Sequence, residues 1–182
     1  MTRTDHESPV EPGTTVKGAG DERENPRALY TPQERQRRDE SVWTIVQGVL
    51  APVQFVVFLI SLGLVLRALS TGEGTWAADV SIVIKTLVLY TIMITGSIWE
   101  KVVFGKWLFA PAFFWEDVFS MLVLALHSLY LVMLFAGIGS TEQRLLVALA
   151  GYAAYVINAA QFLWKLRVAR LEGNALSQAV AA

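Results

Sequence analysis

Four apolar runs, each long enough to cross a lipid bilayer, constrain this chain more than any other feature. They are Trp43 to Leu66, Val80 to Trp99, Val118 to Ile138 and Leu145 to Trp164. About 20 apolar residues make a span. The first and last runs carry no charge, the second carries only Lys85, and His127 is the one titratable group of the third. In lipid such segments must be helices, because each backbone polar group needs a partner within the segment. Helices of a soluble bundle would show charged faces, and these do not. The expected fold is an all-α integral membrane four-helix bundle, with helices at about 43–67, 79–100, 113–138 and 142–167.

Charge orients the bundle. Arg35, Arg37 and Arg38 precede the first run, Lys101 and Lys106 lie between the second and third, and Lys165, Arg167 and Arg170 follow the fourth. The other side has only Arg67 and Arg144. The positive-inside rule then predicts that both termini and the middle loop are cytoplasmic. All six tryptophans fall at predicted helix ends, as an interfacial aromatic belt requires.

Residues 1–29 are polar and rich in Pro, Gly and charge, which predicts a disordered tail with no apolar core of the secretory kind. The membrane domain is expected over 30–172, with a C-terminal tail over 173–182. At "YTPQERQRRDES" Thr31, Pro32 and Glu34 spell a capped juxtamembrane helix. Ser140 or Thr141 can cap the fourth span, and Pro111 is expected to open the third. The loop "FGKWLFAPAFFW" is aromatic and nearly uncharged, so it should lie in the interface or dip into the membrane. A net charge of −1 argues against nucleic-acid binding, which needs a basic patch. With no cysteine, disulfides, thiolate zinc sites and iron–sulfur clusters are excluded.

Helical spacing shows where polar groups converge. Gln47, Gln54 and Ser61 share one face of the first span, and Glu116, Ser120 and His127 share one face of the third. Tyr155, Asn158, Gln161 and Lys165 form a stripe on the fourth. Most of these groups, with Glu100, Glu116 and Asp117, fall in the cytoplasmic half, so the helices should enclose a polar cavity opening toward that side. Plainer readings stand beside this one. Amides glue helices together, Glu100 can pair with Lys101, and Glu116 and Asp117 can be first-turn acids favoured by the helix dipole. His127 can be a hydrogen-bonded core residue, and Lys85 is expected to snorkel to the far interface. Lys101, Lys106, Lys165 and Arg167 read as topology determinants.

Three segments, "YTPQERQRRDESVWTIVQGVLAPVQFVVFLISLGLVLR", "IWEKVVFGKWLFAPAFFWEDVFS" and "YVINAAQFLWKLRVARL", closely resemble the small membrane vinyl (bacterio)chlorophyllide hydratases of bacteriochlorophyll biosynthesis. The likeness spans about residues 30–172. It implies addition of water across the ring-A 3-vinyl group of chlorophyllide a or 3-vinyl bacteriochlorophyllide a, giving a 1-hydroxyethyl product. It also implies a bacterial inner or intracytoplasmic photosynthetic membrane. No separate cofactor is expected, since the substrate carries its own magnesium. Self-association, or association with other pigment enzymes, stays open. A non-catalytic tetrapyrrole carrier is the alternative, and a small transporter a more remote one. The carrier would leave the three carboxyls without a task.

Vinyl hydration requires a proton on the terminal carbon, a water to attack the adjacent cationic carbon, and a base for the second proton. Desolvation penalises a charged carboxyl, so an acid near the membrane interior can keep its proton near neutral pH. Glu116 or Glu100 is the expected acid, with Asp117 as charged neighbour or base. Gln161, Asn158 and Gln54 would hold the water or the pigment's keto group. His127 would ligate the substrate magnesium axially or act as base. Trp99, Trp107, Trp115, Phe113 and Phe114 would cover the ring, and the basic rim would hold its propionate.

Overall fold

Thr31 opens the first helix by capping it. Its Oγ1 accepts the Glu34 N–H at 3.3 Å, and the Glu34 carboxylate accepts the Thr31 N–H at 2.9 Å. This reciprocal box starts helix α1, Pro32–Glu40. Ser41 ends α1 and caps α2, Val42–Thr71, by accepting the Trp43 N–H at 3.2 Å. Helices α3 (Thr75–Phe104), α4 (Phe114–Phe135) and α5 (Thr141–Ala181) follow. The computed structural model describes the backbone of residues 29–181 and the side chains of residues 29–171. The tail expected at 1–29 therefore lies outside the described residues, apart from Leu29.

Helices α2 to α5 are the four spans, each long and apolar enough to cross a membrane, and no strand occurs among the described residues. The packing is that of a membrane protein. Ile45, Phe55, Ile84, Leu87, Val132 and Phe135 face outward, while Gln54, Ser61, Lys85, Thr86, Ser120 and His127 are buried. Lipid is as apolar as leucine, so polar contacts and close fit, not apolar burial, hold such helices together.

Helix α2 packs chiefly on α3, and α4 on α5. Both seams are antiparallel and carry polar rungs. Gln47 donates to Thr95 Oγ1 at 2.8 Å, and the Ser61 hydroxyl lies 2.7 Å from that of Ser81 and 2.6 Å from that of Tyr152. Asn158 donates to Ser120 Oγ at 2.8 Å. Gly72 and Gly105 end α2 and α3 at φ of 73° and 75°, left-handed positions that glycine occupies without strain. Ser140 caps α5, accepting the Gln143 N–H at 3.2 Å. At one end of the bundle Tyr30, Val103 and Phe113 form a core with Trp99, Phe104, Phe162 and Ala169. Leu29 and Tyr30, the α3–α4 connection and the far part of α5 therefore meet there.

Two sequence expectations are corrected. Pro111 does not open the third span; it lies in a turn closed by the Phe113 N–H on the Ala110 carbonyl at 2.8 Å, and α4 begins at Phe114. Pro favours the second position of such a turn because its φ is preset. Helix α5 does not stop near 167, and its backbone stays helical to Ala181, through the stretch read as a tail. That stretch lacks proline, is rich in alanine, and contains one glycine, whose helical penalty is only about 1 kcal/mol.

Candidate functional site

The last turn of α3 and the first turn of α4 bring Glu100, Glu116 and Asp117 to the same end of the bundle. None is more than 5% exposed, so the ion pair of Glu100 with Lys101 does not form. Lys101 instead donates to the Gly105 carbonyl at 2.9 Å. The connection between the helices folds back over the acids. Asp117 accepts the Phe109 N–H at 2.7 Å, and Glu100 accepts the Ala110 N–H at 3.2 Å. Phe109 takes a φ of 58°, a conformation uncommon outside glycine, asparagine and aspartate. Adjacent backbone amides thus hold the Glu100 and Asp117 carboxyls at this end of the bundle.

Glu116 faces α5. Its Oε2 lies 2.6 Å from Lys165 Nζ, a largely buried ion pair. The same ammonium donates to the Ala112 carbonyl and sits 4.9 Å from the Phe113 ring centroid. Beside this pair a cleft of about 620 Å³ is lined by Leu29, Glu116, Ile157, Gln161, Trp164 and Lys165, among others. Its size falls in the range of roughly 300–1,000 Å³ usual for small-molecule sites, and its walls combine apolar surface with a few polar groups.

The aromatic residues divide into two sets. Trp99 and Phe113 turn inward, with Trp99 Nε1 donating to Thr44 Oγ1 at 2.9 Å and its ring edge-on to Phe113 at 5.6 Å. Tyr30 stacks on Phe104 at 5.7 Å, with the Arg38 guanidinium 4.7 Å from its ring. Burial pushes the Tyr30 hydroxyl above its ordinary pKa, partly offset by Arg38. Trp107, Phe114 and Trp115 point away from the bundle. Trp164 is also largely exposed, and it borders the cleft.

A second polar group lies deeper. Lys85, expected to snorkel, is wholly buried: its Nζ lies 2.8 Å from His127 Nε2 and 4.6 Å from the Tyr155 ring centroid. It shares the inward stripe of α3 with Ser81, Ile82 and Leu89 and so cannot reach the lipid face. His127 Nδ1 is 2.8 Å from the Val123 carbonyl, so both ring nitrogens are engaged and neither is offered to a magnesium ion in this arrangement. Between the two groups, Gln54 is 1% exposed, and neither atom of its amide has a partner among the described residues. Asn158 Oδ1 and Gln161 Oε1 are likewise buried without partners. The structure thus gathers Glu100, Glu116 and Asp117 at one end, with Gln161 at the cleft wall. Gln54, Asn158 and His127 lie further in, and Trp115 on the outer surface. Lys165 is the residue that sequence reasoning underrated, although its place on the stripe with Asn158 and Gln161 was a usable signal.

Residues 30–168 match the model of the 2-vinyl bacteriochlorophyllide hydratase family. A protein of Cereibacter sphaeroides named 2-vinyl bacteriochlorophyllide hydratase is 66% identical over 149 residues, covering 82% of this chain and 92% of that protein. One of the same name from Rhodobacter capsulatus is 64% identical over 146 residues, covering 80% and 85%. No solved structure gives a significant match.

Proposed function

The chain belongs to the 2-vinyl bacteriochlorophyllide hydratase family and is a multi-pass membrane hydratase of bacteriochlorophyll biosynthesis; from this premise we propose that Glu100, Asp117 and Glu116 carry the chemistry at the cleft end of the bundle. The observation behind this reading is the burial of three carboxyls at one end of the bundle, two held by the adjacent Phe109 and Ala110 amides and the third ion-paired with Lys165 at the cleft wall.

In the proposed reaction one of Glu100 and Asp117 carries a proton, and this proton goes to the terminal vinyl carbon. The adjacent carbon becomes cationic, with charge spread into the macrocycle. Water attacks that carbon while Glu116, the carboxylate, takes the water's proton. One C–H and one C–O bond form, one π bond and one O–H bond break, and Glu116 returns the proton to its neighbour Asp117. General acid–base participation of this kind contributes about 10²–10⁴-fold in rate. The step needs no group beyond side chains, water and the substrate.

The cleft wall offers Trp164 as a stacking surface. Trp99 is assigned to the aromatic core with Phe104 and Phe113, and Trp115 to the bilayer interface. Gln54 is the proposed partner for the pigment's keto group. His127 is proposed to hold Lys85, since ligating magnesium would require it to release Lys85 or Val123. The clustering of basic residues supports a cytoplasmic location for this end and for both termini, in the cytoplasmic or intracytoplasmic photosynthetic membrane. Lys165, Arg167 and Arg170 would meet the substrate's propionate there.

The test is conversion of vinyl substrate to the hydroxyethyl product by Glu100→Gln, Asp117→Asn and Glu116→Gln proteins that insert and remain monodisperse in detergent. Turnover should fall at least about 100-fold in each. Wild-type turnover by all three would remove the acids from the mechanism.

A further inference from the structure

Hydration at a greasy cleft also needs a place for the water. The α4–α5 seam carries a row of polar groups on facing stripes: Glu116 and Ser120, four residues apart, oppose Lys165, Gln161 and Asn158. At the two ends of this row the side chains pair, Glu116 with Lys165 at 2.6 Å and Ser120 with Asn158 at 2.8 Å. Between them two amide oxygens, Asn158 Oδ1 and Gln161 Oε1, are shut off from solvent with no donor among the described residues. A buried acceptor without a donor is destabilising by about 1–3 kcal/mol, and buried waters typically satisfy such groups with two to four bonds. Gln161 and Glu116 both line the cleft, so this stretch of the seam borders the space open to a ligand.

We infer that Asn158 and Gln161 seat the reacting water on the α4–α5 seam, next to Glu116, and that Ser120 is a positioning residue acting through Asn158. The inference rests on the proposed role of Glu116 as base. One O–H of the water donates to an amide oxygen and the other to the Glu116 carboxylate, which leaves an oxygen lone pair directed at the cleft. Ser120 accepts from Asn158 Nδ2 and thereby turns Oδ1 toward the water. On attack the carbon–oxygen bond forms, and the O–H proton facing Glu116 passes to it. A water held in this way approaches the planar cation from one face, so the new stereocentre is made in a single hand.

The assay uses full-length enzyme in detergent with the vinyl substrate, measuring kcat, KM and the epimer ratio of the hydroxyethyl product. Near-isosteric variants avoid opening cavities: Asn158→Leu and Gln161→Met should each lower kcat about 100-fold, the loss typical of an ångström-scale misplacement. KM should stay within about twofold of wild type, and both epimers should form. Ser120→Ala should lower kcat and mix the epimers, and Ser120→Thr should restore both. If Asn158→Leu does not fold, Gln161→Met at the cleft edge carries the test alone. Variants that keep wild-type kcat and one epimer, or a wild-type product already mixed at the new centre, would overturn the inference. Fully active Glu116→Gln would instead overturn the proposed mechanism beneath it, so the two failures are distinguishable.

Discussion

Gly151 is the position at which a single added methyl group should disturb the buried polar core most. An alanine Cβ there would lie 2.9 Å from His127 Cε1 and 3.0 Å from Nδ1. Carbon atoms pack at about 3.5 Å or more, so the imidazole must retreat by about 0.6 Å. It is held by two contacts of 2.8 Å, to Lys85 Nζ and to the Val123 carbonyl. Stretching one of them by that amount gives about 3.4 Å, beyond the usual hydrogen-bond range. Overpacking is destabilising by about 1–3 kcal/mol, and losing a hydrogen bond by about 0.5–1.5 kcal/mol. Better helix propensity returns about 1 kcal/mol. Gly151→Ala should therefore lower stability by roughly 0.5–3.5 kcal/mol in reversible unfolding in mixed micelles. Removing the imidazole removes the clash, so Gly151→Ala should cost nothing further in a His127→Ala background. Wild-type stability of Gly151→Ala, or simple additivity with His127→Ala, would refute the close approach of these helices.

Two further outcomes follow from the same geometry. Lys165→Met leaves Glu116 buried without its cation and should destabilise by about 3–5 kcal/mol, most of which the double variant Glu116→Gln/Lys165→Met should recover; equal stability of single and double variants would count against the pair. The chain has no cysteine, so single introduced cysteines report sidedness directly. Lys106→Cys should react with an impermeant thiol reagent only from the cytoplasmic face, and Glu73→Cys only from the opposite face.

The spans were legible because lipid demands apolar runs and self-satisfied backbones, and both show in one-dimensional sequence. The caps were legible for a similar reason. Thr31–Glu34 and Ser140 act within three residues of their partners. The stripes on the spans were readable too: Gln54 and Ser61 are both buried on α2, and Ser120 and His127 on α4. Which stripe faces which was not. Glu116 and Lys165 are 49 residues apart and Lys85 and His127 are 42 apart, and nothing local announces either pairing. Lys85 was misjudged because a lone lysine in a span suggests snorkelling, whereas its neighbours at three- and four-residue spacing, Ser81, Ile82 and Leu89, already marked its face as internal. The clasp of the α3–α4 connection on Glu100 and Asp117 was illegible for another reason. It depends on backbone amides aimed by a phenylalanine at positive φ, a conformation that the residue type does not predict.

Catalysis by these carboxyls requires the vinyl group to sit beside them. The measurement that tests this most directly is a structure of the enzyme with unreacted vinyl pigment bound, for example in a Glu116→Gln background. The macrocycle is expected in the cleft beside Trp164 and Gln161, with the terminal vinyl carbon about 3–3.5 Å from a Glu100 or Asp117 oxygen. A pigment bound elsewhere, with its vinyl carbon beside Lys85 and His127 or facing lipid far from all three carboxyls, would contradict it.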